Sequence, residues 1–181
     1  MRIIAGEWGG RPLAAPEGQA TRPTSDRTRE GLFSMLASRL GTFEGLHVAD
    51  LFAGTGALGL EALSRGAAYC TFVEKDRGAI ATLQRNIATF SAEARTLTLS
   101  QGVEYAPPPQ RPCDLVLLDP PYESDLAEMA LERVCNSGWV IPGGWVSVET
   151  SGKPLITPPH FSLSTERRFG KAFISLFHRE K

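Results

Sequence analysis

From residue 46 onward the sequence alternates short apolar runs with segments whose apolar residues recur at helical spacing. Strands separated by helices pair in parallel, because a parallel pair needs a long crossover connection. The pattern therefore predicts an α/β fold, with a doubly wound parallel sheet and helices on both faces. The predicted strands are 46–52, 69–74, 96–100, 114–119 and 144–150, and the predicted helices include 26–40, 57–65, 125–135 and one containing Ile80, Leu83, Ile87 and Phe90.

The two ends of the chain depart from this alternation. Residues 161–169 and 171–178 alternate apolar and polar side chains, which predicts that the sheet ends in an antiparallel hairpin. Residues 2–15 predict two short strands around a glycine-rich turn. We therefore expect a short N-terminal extension made of a β-hairpin and a loop (1–24), followed by one main domain (25–181).

The composition is that of a single globular domain. The 181 residues are 42% hydrophobic and 22% charged, which excludes the disordered class. No apolar run approaches the ~18 residues of a membrane span, and the N-terminus lacks the apolar core of a signal peptide. Three widely spaced cysteines predict neither a disulfide framework nor a metal knuckle. We expect a cytoplasmic, reduced, metal-free monomer with no membrane partner.

Charge is distributed unevenly, although the net charge is only -1. Basic side chains outnumber acidic ones in residues 1–29 and 160–181, whereas acidic side chains outnumber basic ones between them. Basic ends around an acidic centre favour a polyanionic partner gripped by the termini. Ordinary surface scatter produces the same pattern, so charge alone leaves the partner open.

A glycine-rich loop follows the strand at 46–52. Gly54, Gly56 and Gly59 match G-x-G-x-x-G between a strand and a helix, where glycines let the backbone turn and approach a ligand. Glu74 ends the next strand, where it can accept hydrogen bonds from ribose hydroxyls. The loop predicts a nucleoside cofactor. A dinucleotide fits if its pyrophosphate meets the helix N-terminus, while acids such as Asp50 and Glu74 favour the cationic S-adenosylmethionine.

The sequence Asp119-Pro120-Pro121-Tyr122 follows an apolar strand and is predicted to lie at the ligand edge of the sheet. The prolines stiffen the backbone and donate no hydrogen bond, which leaves carbonyl acceptors beside Asp119. Two such oxygens can accept both hydrogens of an exocyclic amino group while Tyr122 stacks on the base. They also offset the charge that develops as the amino nitrogen attacks a methyl group, so the chemistry needs no covalent intermediate.

Taken together, FAGTG and DPPY resemble the amino-group class of S-adenosylmethionine-dependent methyltransferases. Further segments make nearly the whole chain similar to the bacterial methyltransferases that modify N2 of guanine 966 in 16S ribosomal RNA. These segments are RIIAGEWGGRPL (2–13), TRPTSDRTREGLFSML (21–36) and GALGLEALSRGA (56–67). The segment at 21–36 makes the match most specific.

The resemblance implies a class I methyltransferase with a Rossmann-like sheet of seven strands, S-adenosylmethionine as cofactor, and 16S ribosomal RNA within a small-subunit assembly intermediate as partner. Asp119, Pro120 and Tyr122 would be catalytic. The implied cofactor-binding residues are Asp50, Phe52, Ala53, Gly54, Thr55, Gly56, Leu58, Glu74, Lys75, Gln101, Gly102 and Asp119. The implied substrate-binding or site-ordering residues are Arg2, Arg11, Arg22, Thr24, Arg27, Arg29, Pro121 and Tyr122.

One departure and three rival functions accompany this interpretation. Gln101-Gly102 stands where the family usually has a short acidic or amide residue followed by Ala, in contact with adenine. N6-adenine methylation of DNA or RNA is the nearest rival, since DPPY serves either base. An NAD-dependent oxidoreductase fits the glycine loop but lacks an evident hydride site. A non-catalytic RNA-binding or assembly protein would have no chemical need for Asp119 and Tyr122.

Overall fold

A computed structural model describes residues 1–16, 25–122 and 125–181 of the chain. It contains four α-helices in these ranges, and a short 3₁₀ turn at Glu93–Arg95. The helices are α1 (Asp26–Leu40), α2 (Ala57–Ser64), α3 (Arg77–Thr89) and α4 (Leu126–Asn136). The strands are β1 (His47–Leu51), β2 (Tyr69–Glu74), β3 (Thr96–Ser100), β4 (Cys113–Leu118), β5 (Val140–Thr150), β6 (Phe161–Phe169) and β7 (Ala172–Arg179).

The strands form one seven-stranded sheet in the order β3-β2-β1-β4-β5-β7-β6. Strands β1 to β5 pair in parallel with one another, whereas β7 runs antiparallel to both β5 and β6. The predicted α/β class, the seven strands and the closing antiparallel hairpin are confirmed. Because β1 lies between β2 and β4, the strand order reverses there, and such a switch point opens a crevice at the carboxyl ends of the strands.

Alternation along the central strands supplies a separate core on each face of the sheet. In β4, Leu115 and Leu117 belong to the cluster under α1, α2 and α3, whereas Val116 and Leu118 belong to the cluster under α4. All four side chains are at most 1% exposed. A strand buried on both faces is continuously apolar, and this is why the sequence of β4 predicts a buried strand so clearly.

The N-terminal segment has the antiparallel contacts of the predicted β-hairpin but no continuous strand in the described residues before Pro16. Ile3 donates its N–H to the Arg11 carbonyl at 3.0 Å, beside one isolated antiparallel bridge between Arg2 and Pro12. The next residues are bound to α2: Ile4 and Ala5 donate to the Glu61 carboxyl group at 2.7 and 3.1 Å. Because a side chain satisfies these two N–H groups, the ladder does not continue through them.

Strand β5 begins at Val140, earlier than the predicted position 144. Pro142 and two glycines indicate a turn in the sequence, but here the strand continues through them with a shift in its register against β4. In the described residues, no helix is both long and apolar enough to span a membrane.

Candidate active site

The glycine loop and the DPPY segment meet at the switch point of the sheet. Leu51 at the end of β1 pairs with Leu118 at the end of β4. The next residue, Asp119, donates its N–H to the Leu51 carbonyl at 3.5 Å. The glycine loop and the DPPY segment therefore leave neighbouring strands at the same edge of the sheet, as the sequence predicts.

The loop after β1 has an unusual backbone. Phe52 has a φ of 64°, Gly54 of 57° and Gly56 of 84°. At Gly56 a Cβ would also overlap Leu83 of α3, so both the backbone angle and the packing require glycine there. Phe52 is not a glycine, and its left-handed conformation stores strain of a kind that clusters at ligand-binding sites.

Glu74 supports this loop as well as lining the cavity described below. Its Oε2 accepts from the Gly54 N–H at 2.8 Å. Its Oε1 accepts from the N–H groups of Lys75 and Asp76, each at 2.8 Å. Oε1 has used both of its lone-pair sites, whereas Oε2 keeps one, so the carboxyl group can hold the loop and accept from a ligand hydroxyl as well.

Asp50 lies beneath the loop and is only 1% exposed. Its Oδ2 accepts from the Gly59 N–H at 2.8 Å, near the start of α2. Burial raises the pKa of Asp50 well above its ordinary value of 3.8, while the Gly59 hydrogen bond lowers it and nearby Asp119 and Glu74 raise it further. The structure gives Asp50 a clear role in fixing the loop against α2.

These segments enclose a cavity of about 430 Å³, a size that suits a small-molecule cofactor. It brings together nearly all of the predicted cofactor residues. The predicted residues that line it are Asp50, Phe52, Ala53, Gly54, Thr55, Leu58, Glu74, Lys75, Gln101, Gly102, Asp119, Pro120 and Pro121. Gly56 is not among the lining residues; it is buried and shapes the turn.

The cavity also has walls that sequence reasoning missed. A Cβ at Gly102 would press on the Glu104 carboxyl group, which therefore folds back over this glycine. An acid four residues beyond the end of β3 gave only a weak signal, and Met1 gave none. The missed lining residues are Met1, Pro16, Ala57, Val73, Asp76, Ala79, Val103, Glu104 and Leu126.

The DPPY segment sits at the wall between the cavity and the end of β5. Asp119 is half-buried and Pro120 is buried. The Tyr122 hydroxyl donates to Glu149 Oε1 at 2.6 Å. Glu149 was not predicted as a site residue, and its sequence signal is a single acid at the end of the apolar strand β5.

The predicted substrate arginines occupy different environments. Arg2, Arg11 and Arg27 are exposed, and Arg11 lies over the Phe90 ring and donates to the Thr89 carbonyl at 2.8 Å. Arg22 and Thr24 lie outside the described residues.

Arg29 is 0% exposed, so its guanidinium is not available to RNA at the surface. It donates to the Arg2 carbonyl and to Asp26 Oδ1, each at 2.6 Å. Burial lowers the pKa of Arg29 from its ordinary value, against the opposing effect of Asp26 and Glu61. The resemblance implies either RNA binding or ordering of the site for Arg29. Its buried position fits the second role, through its contact with the N-terminal segment.

Comparison with known proteins gives matches over nearly the whole chain. A family model described as Conserved hypothetical protein 95 matches residues 1–178. The chain is 39% identical to ribosomal RNA small subunit methyltransferase D of Haemophilus influenzae over 175 residues, covering 94% of this chain and 89% of the relative. It is 37% identical to the protein of the same name from Escherichia coli K12 over 183 residues, covering 99% and 90%.

The solved structures agree with these sequence matches. The yhhF protein of Escherichia coli has a TM-score of 0.87 at 37% identity, covering 99% of this chain and 98% of its own. The HI0767 protein of Haemophilus influenzae has a TM-score of 0.82 at 34% identity, covering 100% and 99%. The fold is that of class I methyltransferases, and the chain belongs to the Conserved hypothetical protein 95 family, which includes the bacterial ribosomal RNA small subunit methyltransferases D.

Proposed function

We propose that this protein methylates the exocyclic N2 amino group of guanine 966 in 16S ribosomal RNA, with S-adenosylmethionine as methyl donor. The observation that carries the proposal is the placement of Asp119 and Pro120 in the wall of the cavity that contains the glycine loop. Relatives named as small-subunit ribosomal RNA methyltransferases support the substrate class.

The cavity suits the proposed cofactor in size and in chemistry. Carboxyl groups of Glu74 and Asp119 line it, which suits a ligand carrying a sulfonium and an ammonium group. Glu74 would accept from a ribose hydroxyl, and Gln101 and Glu104, which line the same cavity, would accept from the adenine amino group. When bound, the cofactor would supply an electrophilic methyl group.

The chain's own residues then have defined tasks toward the target base. The Asp119 carboxyl group and the Pro120 carbonyl accept the two amino hydrogens, which orients the nitrogen lone pair toward the methyl group. The charge of the carboxylate and the partial charge of the carbonyl oxygen offset the positive charge that develops on nitrogen. Loss of one such acceptor in a water-excluded site raises the activation free energy by about 3 kcal/mol. Pro121 stiffens the segment and the Tyr122 ring stacks on the base.

The remaining predictions follow from this assignment. The exposed Arg2, Arg11 and Arg27 would contact RNA phosphates, and Arg22 and Thr24 would join them. Residues 1–24 would act as an extension that orders the site of a catalytic domain formed by 25–181. The protein would act in the cytoplasm as a monomer, on RNA within a small-subunit assembly intermediate.

The decisive experiment is a nucleoside digest of 16S ribosomal RNA from cells that lack this gene. We expect loss of N2-methylguanosine, restored by the wild-type gene and not by Asp119→Ala. Asp119→Asn keeps an acceptor oxygen and should restore part of it. Calorimetry should show cofactor affinity within a few-fold of wild type for both variants. Loss of N6-methyladenosine instead would establish the rival activity on RNA, and an unchanged digest would refute methylation of this RNA at either base.

A further inference from the structure

We propose that Glu149 is a positioning residue, which fixes the position of the Tyr122 ring by accepting a hydrogen bond from its hydroxyl group. The inference rests on the proposed function, because it assigns Tyr122 the base-stacking task given above. It adds a residue from a different strand to the site, one that neither the glycine loop nor the DPPY segment contains.

The contact itself is short and shielded from water. The Tyr122 hydroxyl donates to Glu149 Oε1 at 2.6 Å, and Glu149 is only 4% exposed. Hydrogen bonds to a carboxylate are stronger than those between neutral groups, and removal of water strengthens them further. The bond therefore contributes substantially to holding the phenol in one place.

The sheet brings Glu149 to this position. Val148 of β5 pairs with Leu118, the last residue of β4. Glu149 follows Val148 as Asp119 follows Leu118. Glu149 therefore lies on the neighbouring strand at the level of Asp119, the first residue of DPPY. Its other neighbour is Ile174 of β7 in the antiparallel part of the sheet. Glu149 thus belongs to a strand that is paired on both sides, with β4 up to Val148 and with β7 at Glu149 itself.

Fixing the hydroxyl group fixes the position of the ring. The phenol oxygen lies on the axis about which the ring rotates, so an anchored oxygen, together with a backbone restrained by prolines, holds the direction of that axis. Pro120, Pro121, Tyr122 and Glu149 also line one small cavity of about 20 Å³. A ring whose axis is held in this way can meet each incoming base at the same place.

A second link lies close by, at the start of α4. Lys153 Nζ lies 3.2 Å from Asp125 Oδ1, and both side chains are largely exposed. Exposed ion pairs of this kind contribute little to stability. Of these two links, the Tyr122–Glu149 bond is the one shielded from water and the stronger one.

The first test reads the ring directly and needs no RNA. The chain contains 3 tyrosines, so selectively ¹³C-labelled tyrosine gives few signals, and Tyr122→Phe identifies that of Tyr122. We expect Glu149→Ala to move the Cζ resonance of Tyr122 and leave the other two tyrosines in place. An unmoved Tyr122 resonance in a folded variant would overturn the proposal.

The second test measures turnover on small-subunit RNA from cells lacking the gene. Glu149→Ala and Tyr122→Phe should each lower kcat by roughly 10-fold, as expected for a lost bond to a buried charged group. The double variant should be no slower than either single one, because both changes remove the same bond. Glu149→Gln keeps an acceptor and should recover much of the rate, while cofactor affinity should stay unchanged throughout.

The outcomes separate this inference from the function on which it rests. If wild-type protein transfers no methyl group to guanine, the proposed function fails, whatever the tyrosine spectrum shows. If wild-type protein is active but the two single effects multiply in the double variant, the positioning role fails. A lower melting temperature in Glu149→Ala with unchanged kcat would show a merely structural role. If that variant does not fold, Tyr122→Phe alone tests the bond.

Discussion

Glu61→Ala should release the N-terminal segment from α2 and strongly destabilise the protein. The Glu61 side chain is 0% exposed, and its oxygens accept from the N–H groups of Ile4 and Ala5 at 2.7 and 3.1 Å. It also accepts from Arg65 Nε at 2.8 Å, a group that is 17% exposed. One carboxyl group therefore satisfies three donors that water reaches poorly.

The expected magnitude follows from what the substitution leaves behind. Each buried N–H without a partner costs about 1–3 kcal/mol, and the unpaired Arg65 adds to this. Partial relaxation of the segment lowers the sum, so we expect a loss of about 3–5 kcal/mol in the free energy of unfolding. At about 2–4 °C per kcal/mol for a chain of this size, the melting temperature should fall by roughly 10 °C.

Urea unfolding, followed by far-ultraviolet circular dichroism, measures this loss. Glu132→Ala is the matched control, because Glu132 is an exposed helical glutamate of α4 and should change stability by about 0.5 kcal/mol or less. Since Met1 lines the cofactor cavity, Glu61→Ala should also weaken cofactor binding. A loss in unfolding free energy no greater than that of Glu132→Ala would refute the buried-anchor role.

Three further predictions concern the loop, the cofactor and the RNA. Because burial raises the pKa of Asp50, wild-type protein should lose stability relative to Asp50→Asn as pH rises above about 4, by up to ~1.4 kcal/mol per unit until the folded-state pKa is passed; a pH-independent difference in unfolding free energy would contradict this. Glu74→Ala should weaken S-adenosylmethionine binding by roughly 10-fold or more in calorimetry, and unchanged affinity would place the ribose elsewhere. Neutralising Arg11 and Arg27 together should reduce the salt slope of RNA affinity by about 1.4, at ~0.7 per contact for single-stranded RNA; an unchanged slope would remove both from the RNA interface.

Local sequence patterns determined most of the architecture. The strands at Tyr69–Glu74 and Thr96–Ser100 have the predicted boundaries, because alternation of short apolar runs depends only on neighbouring residues. The helix at Asp26–Leu40 also begins where Ser25 indicates, with Ser25 Oγ accepting from the Thr28 N–H. Parallel strands have their carboxyl ends at one edge of the sheet, which brings Gly54 and Asp119 to the same edge without any knowledge of packing.

Tertiary structure decided the contacts between residues far apart in the chain. Glu61 binds a backbone N–H 57 positions away, which is why the antiparallel pairing of the N-terminal segment stays limited to a few residues. Arg29 resembles a surface arginine in sequence, but in the fold its guanidinium is buried and donates to the Arg2 carbonyl. Glu149 reaches Tyr122 across 27 positions. Periodicity reports which face of an element is buried, but the partner of a polar side chain is fixed only when separate elements meet.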